Sequence, residues 1–131
     1  MDYLLDTHVA LWWWANDSNL PKSVAEIVSD SENTIYFSAI SGYEMLLKNR
    51  LGKLQLPPQL VDNLADEVGA EGWVEKTVTL SASARAAKFE AVHRDPFDRI
   101  LAAQAIDAGI PILSKDGALD AFKVDRVWHL T

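Results

Sequence analysis

Four acidic side chains lie where the chain is predicted to leave a strand or to begin a helix. They are Asp6, Glu44, Asp98 and Asp116. Two carboxylates about 4 Å apart repel by roughly 4 kcal/mol at an effective dielectric of 20, so a cluster of four without a cation would be strongly destabilising or partly protonated. Oxygen ligands suit Mg²⁺ or Mn²⁺, and the sequence has no cysteine that would favour zinc. The pattern predicts a divalent-metal site, provided that the fold brings the four carboxylates together.

Each of these carboxylates also has a structural explanation of its own. Glu44 stands three residues after Ser41, as in a capping box, and Asp98 could complement the dipole of its own helix. Asp116 could cap a short helix. Asp6 is harder to explain in this way, because a carboxylate directly after an apolar strand lies at the edge of the core. The metal hypothesis therefore depends on convergence of the whole set.

Short apolar runs alternate with helical patterns along the chain. The predicted strands are 3–5, 35–37, 73–78, 112–113 and 124–128. The predicted helices are 7–15, 21–31, 40–51, 58–69, 82–90 and 96–108, with a short one near 117–121. Strands that are apolar throughout are typical of a parallel sheet covered on both faces. The sequence predicts an α/β fold in one domain over residues 1–131, with no internal repeat or linker.

Composition and charge exclude several classes of protein. A composition of 49% hydrophobic and 24% charged residues is that of a folded domain, and the longest apolar run, 9–15, is far short of the roughly 20 residues that span a bilayer. A net charge of −7 argues against a broad basic surface for nucleic acid, but metal ions on carboxylates can still reach a phosphodiester. The absence of cysteine and of a basic leader predicts a cytoplasmic protein.

Four ordered segments carry the candidate acids: Leu4–His8, Tyr43–Lys48 with Leu51–Leu54 after it, His93–Arg99, and Ser114–Asp116. These segments resemble the successive motifs of PIN-domain ribonucleases, and their order and spacing are most similar to those of VapC-type toxins of bacterial toxin–antitoxin pairs. The resemblance spans nearly the whole chain. It implies a three-layer α/β/α fold with a central parallel sheet, and Mg²⁺- or Mn²⁺-dependent cleavage of RNA. It also implies a homodimer and inhibition by a cognate antitoxin protein.

The resemblance also assigns roles to individual residues. The four acids carry over as the catalytic metal ligands, and Thr7 carries over as a nearby hydroxyl that orients a ligand or a water. The third motif holds two acids. We choose Asp98 over Asp95, because Asp95 precedes Pro96 and N-capping is sufficient to explain it.

Other residues carry narrower expectations. Arg99 is predicted to reach a phosphate or a neighbouring carboxylate, and Asp120 is an additional candidate ligand. His93 is predicted to be an exposed loop residue. The basic stretch around Lys48 either holds the RNA backbone or stabilises the end of a helix. Trp14, the last of three consecutive tryptophans, is expected to face a partner chain.

Two alternative functions stay open at the level of sequence. A haloacid-dehalogenase-like phosphatase also places an Asp at the end of its first strand and Mg²⁺ on carboxylates. That chemistry needs a second Asp two residues later, where this chain has His8. A non-catalytic PIN-like binding scaffold is disfavoured by the presence of all four acids.

Overall fold

The computed structural model describes residues 1–90 and 93–129. Within them, five strands form one parallel sheet: β1 (Asp2–Leu5), β2 (Thr34–Ser38), β3 (Val74–Lys76), β4 (Ile112–Leu113) and β5 (Arg126–Val127). The strand order is β3-β2-β1-β4-β5. Tyr3 pairs with Ile35 of β2, and Leu5 pairs with Leu113 of β4. The central strand β1 therefore ends directly beside β4, and the predicted α/β class is confirmed.

Helices cover both faces of this sheet. They are α1 (Thr7–Ala15), α2 (Lys22–Ser29), α3 (Ala39–Arg50), α4 (Pro58–Asp62), α5 (Leu64–Ala70), α6 (Leu80–Lys88), α7 (Pro96–Ala108) and a 3₁₀ helix (Gly117–Phe122). Successive strand residues point to opposite faces, so Leu5 packs with Val9 and Val24 of α1 and α2, whereas Leu4 packs with Leu101 of α7 and Leu119. These three layers are the α/β/α arrangement that the motifs implied. None of the helices described is long and apolar enough to cross a membrane.

The helix that carries Asp98 has well-defined ends. Asp95 is its N-cap, and one carboxylate oxygen of Asp95 accepts from the backbone N–H groups of Phe97 and Asp98 at 2.9 and 3.3 Å. Pro96 occupies the first turn, where its missing N–H costs nothing. Gly109 ends the helix with φ of 65°, a conformation that favours glycine. These caps define where α7 begins and ends, and so place Asp98 in its first turn.

Several predicted elements differ in extent from the observed ones. The helix predicted over 58–69 is divided into α4 and α5 at Asn63, whose backbone (φ −137°, ψ 41°) is not helical. Asparagine favours such breaks because its side chain competes for backbone hydrogen bonds. The strand predicted over 73–78 is limited to β3, and Trp73 instead packs into the core. The last strand, predicted over 124–128, is limited to β5.

All three consecutive tryptophans are partly buried against the chain itself. The ring centroid of Trp14 lies 5.7 Å from that of Phe37 and 5.1 Å from that of Trp73. The ring of Trp12 lies 6.0 Å from that of Trp128. Aromatic residues from β2 and from the residue before β3 thus cover part of the Trp14 ring, and its contact with a partner chain stays a prediction.

Candidate active site

Two of the predicted acids meet where β1 and β4 end. The backbone N–H of Asp6 donates to the carbonyl of Leu113 at 3.0 Å, which continues the sheet one residue beyond β1. The hydroxyl of Ser114 donates to Asp6 Oδ2 at 2.6 Å and accepts from the backbone N–H of Asp116 at 3.0 Å. The carboxyl ends of parallel strands share one edge of the sheet. Ser114 therefore lies between Asp6 and Asp116 and links the carboxylate of the first to the backbone of the second.

Asp6 is held in a position that disfavours its charge. Its side chain is 4% exposed and makes no capping bond, although it stands at the N-cap position of α1. Burial raises the pKa of Asp6, and the charges of Glu44 and Asp116 raise it further, while the hydrogen bond from Ser114 lowers it. A cation bound here would remove most of this penalty.

Glu44 reaches the same region from α3. It is 4% exposed, and its Oε2 lies 2.5 Å from Nζ of Lys48, one helical turn later. This hydrogen bond raises the pKa of Lys48. The cap of α3 is Ser38 rather than Ser41, so the capping-box explanation for Glu44 does not hold. The hydroxyl of Thr7 donates to Ser41 Oγ at 2.8 Å, which places the predicted hydroxyl at the contact between α1 and α3.

Asp98 lies in the first turn of α7, mostly buried. Burial raises its pKa to about 6; the hydrogen bond with His93 opposes this shift, and the charges of Asp6 and Asp95 add to it. The carboxylate of Asp95 is occupied by its N-cap hydrogen bonds. The structure thus gives the two acids of the third motif different surroundings, as expected from the sequence.

The ligand atoms of three residues converge closely enough to hold one ion. Among the described residues, one ligand atom each from His93, Asp98 and Asp116 lies within 4.8 Å of the other two. Asp116 also caps the 3₁₀ helix, because its Oδ1 accepts from the backbone N–H of Ala118 at 3.0 Å. Carboxylate oxygens with one imidazole and no thiolate fit a divalent ion such as Mg²⁺ or Mn²⁺.

Arg99 makes several hydrogen bonds to backbone carbonyls near the start of α7. Its guanidinium donates to the backbone carbonyls of Ala86, Phe89 and His93 at 3.0, 2.7 and 3.1 Å. These carbonyls lie at the end of α6 and before α7, and a contact of Arg99 with a phosphate or a carboxylate stays a prediction. Arg99 holds the segment that leads into α7.

Asp120 has a different partner from the one considered in the sequence. Both of its carboxylate oxygens accept from Arg126, at 2.8 and 3.1 Å, and this pair lowers the pKa of Asp120. The pair ties the 3₁₀ helix to β5. A ligand role for Asp120 stays a prediction.

Two side chains at the site were missed from the sequence. His93 is not an exposed loop residue as predicted: it is mostly buried, with Nε2 2.7 Å from Asp98 Oδ2. Gln104 is buried in α7, and its Oε1 accepts from Ser38 Oγ at 2.6 Å, which joins α7 to the end of β2. A polar residue within the alanines of α7 was a signal for Gln104, whereas no pattern before the helix indicated the direction of His93.

Comparison with known proteins agrees with this arrangement. The PIN domain family model matches residues 3–124. The chain belongs to the PIN domain family. It is 30% identical over 131 residues to ribonuclease VapC22 of Mycobacterium tuberculosis, with 95% of this chain and 97% of that protein covered.

Solved structures share the fold at lower identity. VapBC2 from Rickettsia felis, bound to a DNA fragment from its promoter, matches with a TM-score of 0.72 and 13% identity, covering 97% of this chain and 98% of the other. VapBC-1 from nontypeable Haemophilus influenzae matches with a TM-score of 0.70 and 19% identity, covering 97% of each chain. The family inferred from the motifs is confirmed, and the haloacid-dehalogenase-like alternative is not favoured.

Proposed function

We propose that this chain is a metal-dependent endoribonuclease that acts as the toxin of a toxin–antitoxin pair and hydrolyses RNA phosphodiester bonds. The observation that carries the proposal is the placement of Asp6, Glu44, Asp98 and Asp116 around one sheet edge, where each affects the pKa of another or shares its contacts. The similarity to ribonuclease VapC22 supports RNA as the substrate. The VapBC structures among its relatives support a second protein as partner.

Mg²⁺ or Mn²⁺ is the proposed cofactor, and the four carboxylates are its proposed ligands. When bound, such an ion offsets the charge of the scissile phosphate and lowers the pKa of an attacking water. The chain supplies the positions: Ser114 orients Asp6 through its 2.6 Å hydrogen bond, and the cap at Asp95 sets the first turn that carries Asp98. Lys48 balances part of the charge of Glu44.

Incubation of the purified chain with total cellular RNA tests this proposal. Cleavage is expected in Mg²⁺ or Mn²⁺ and none in chelator, with the cleaved ends mapped by sequencing. Asp98→Asn is expected to slow cleavage at least about a hundredfold, because a ligand to the ion that activates the phosphate is lost.

Asp95→Asn is the matched control for the third motif. Asparagine is also a good N-cap, so this variant should keep α7 in place and retain most of the activity. Undiminished cleavage by Asp98→Asn, or cleavage that persists in chelator, would show that the metal-site assignment is wrong.

An aromatic pair beside the acids, one ring exposed and the other half-buried, is proposed to bind a base of the RNA. Tyr43 directly precedes Glu44, is 58% exposed, and has its ring centroid 6.0 Å from that of Phe97, which directly precedes Asp98. Nζ of Lys48 lies 5.9 Å from the centroid of Phe97. Single-stranded RNA is commonly held by stacking of bases on such rings with a cation nearby.

Tyr43→Ala is expected to lower kcat/KM for RNA about tenfold, because base stacking on an aromatic ring contributes about 1–3 kcal/mol. Tyr43→Phe keeps the ring and should retain the wild-type value. The measurement is single-turnover cleavage of a mapped oligonucleotide, with melting temperatures recorded for both variants. Unchanged kcat/KM in Tyr43→Ala, with an altered sedimentation coefficient, would instead assign Tyr43 to a contact between two copies of the chain.

A cleft next to the acids supports the antitoxin part of the proposal. It measures about 290 Å³ and is lined mainly by apolar side chains, among them Leu11, Trp14 and Leu60. His8 and Trp12 lie on the boundary between this cleft and the cavity that contains the acids Asp6 and Asp116. An antitoxin segment with apolar side chains and one Arg or Lys would complement both parts.

Assembly and location complete the proposal. A two-fold homodimer would place two acidic sites along one groove, which suits an extended RNA or antitoxin segment. A cysteine-free chain fits the reducing cytoplasm, where RNA substrates are found. The family match over residues 3–124 supports one domain over 1–131.

A further inference from the structure

The imidazole of His93 is fixed in position at the site. Arg99 donates to the backbone carbonyl of His93 at 3.1 Å, which anchors this residue to the first turn of α7. The ring centroid of Phe122 lies 5.8 Å from that of His93 and covers one side of it. The ring is mostly buried, with Nε2 directed at Asp98 Oδ2 at 2.7 Å. His93 is therefore oriented by the fold before any ion binds.

The ligand atoms around this ring are grouped nearly as closely as the ligands of one metal ion. For metal–ligand bonds of about 2.1 Å, neighbouring ligands of an octahedral ion are about 3.0 Å apart and opposite ones about 4.2 Å apart. The separation of 2.7 Å between His93 and Asp98 is close to the first value. The ligand atoms of His93, Asp98 and Asp116 all lie within 4.8 Å of one another. Small side-chain movements would bring the three onto one ion.

We propose that His93 is a nitrogen ligand of the bound metal, and that it makes this site prefer Mn²⁺ to Mg²⁺. The inference rests on the proposed metal-dependent function and adds a ligand to the four acids. Imidazole nitrogen binds transition-metal ions, whereas Mg²⁺ takes oxygen ligands and keeps much of its water. An all-carboxylate site would accept either ion with little distinction.

Pulsed electron paramagnetic resonance of Mn²⁺ bound to the metal-free chain tests this assignment directly. The wild type is expected to show the nitrogen modulation of a coordinated imidazole, and His93→Gln is expected to lack it. Calorimetric titration should show Mn²⁺ affinity falling about tenfold or more in His93→Gln. The Mg²⁺ affinity of the same variant should change less than about threefold, because Mg²⁺ makes little use of nitrogen.

The other two histidines provide matched controls, since the chain has three in all. His8→Gln and His129→Gln should both keep the nitrogen signal, although His8 lines the cavity next to Asp6. Persistence of the signal in His93→Gln, or Mn²⁺ binding to the wild type without nitrogen modulation, would overturn the role of His93 and leave the four-carboxylate site standing. Failure of the wild type to bind Mn²⁺ or Mg²⁺ would overturn the proposed metal dependence as well.

Discussion

Replacing Asp6 with asparagine is expected to lower RNA cleavage at least about a hundredfold in saturating Mg²⁺ or Mn²⁺. Asparagine has nearly the same shape, so it keeps the place of Asp6 beside Ser114 but removes the charge that would hold the ion. In metal-free buffer the same variant should melt at an equal or higher temperature. Burial and the charges of Glu44 and Asp116 raise the pKa of Asp6, so the wild-type carboxylate destabilises the folded state once ionised.

Initial cleavage rates and melting curves in chelator at pH 7.5 measure the two effects on the same protein. Asp2→Asn is the matched control, because Asp2 is an exposed acid at the other end of the same strand. It should change neither quantity appreciably. A large fall in the melting temperature of Asp6→Asn would assign Asp6 a structural role, and full activity would remove it from the site.

The positions of Asp6, Asp98 and Asp116 were predictable because they follow from rules that act locally. Asp6 and Asp116 each follow an apolar run, and parallel strands bring such residues to one edge of the sheet. Asp98 was distinguished from Asp95 because proline at the next position marks Asp95 as the cap. In both cases the prediction depends on a few neighbouring residues, so distant contacts have little effect on where these acids lie.

The partners of the longer side chains were not predictable in this way. The contacts of Arg99 depend on the packing of α6 against α7, because its side chain donates to the carbonyl of Ala86 in α6. Lys48 was assigned to RNA or to a helix end, but the helical period places it one turn from Glu44, a partner four residues away that was not considered. The contact between Trp14 and Trp73 was also not predicted, because Trp73 lies in a distant part of the sequence.

Opposing charges explain how the folded chain tolerates its acids before an ion binds. Lys48 offsets Glu44, and hydrogen bonds from Ser114 and His93 favour the charged forms of Asp6 and Asp98. For Asp6 and Asp98 these contacts do not outweigh burial, since both pKa values remain raised. The apo site is therefore a source of instability that metal binding should relieve.

Replacing Asp98 with asparagine should reveal this instability as a dependence of folding on pH. The folded chain raises the pKa of Asp98 from 3.8 to about 6, chiefly by burial, so it binds this proton more tightly than the unfolded chain does. As pH rises from 3.8 to 6, the wild type loses stability that the asparagine variant, with no proton to release, retains. We expect the variant to be more stable by about 2 kcal/mol near pH 7.5, after allowance for partial solvent screening, and by almost nothing below pH 4.

Urea unfolding in chelator between pH 4 and 8 measures this difference. Asp107→Asn should behave with the opposite sign, because Arg85 and Ser81 lower the pKa of Asp107 and its charge stabilises the folded chain at neutral pH. Added Mg²⁺ or Mn²⁺ should then stabilise the wild type by about 2.7 kcal/mol at one hundred times the Kd, and Asp98→Asn by less at the same concentration. If Asp98→Asn were the less stable protein across the whole pH range, the wild-type carboxylate of Asp98 would stabilise α7, and the interpretation of Asp98 as a metal ligand would be wrong.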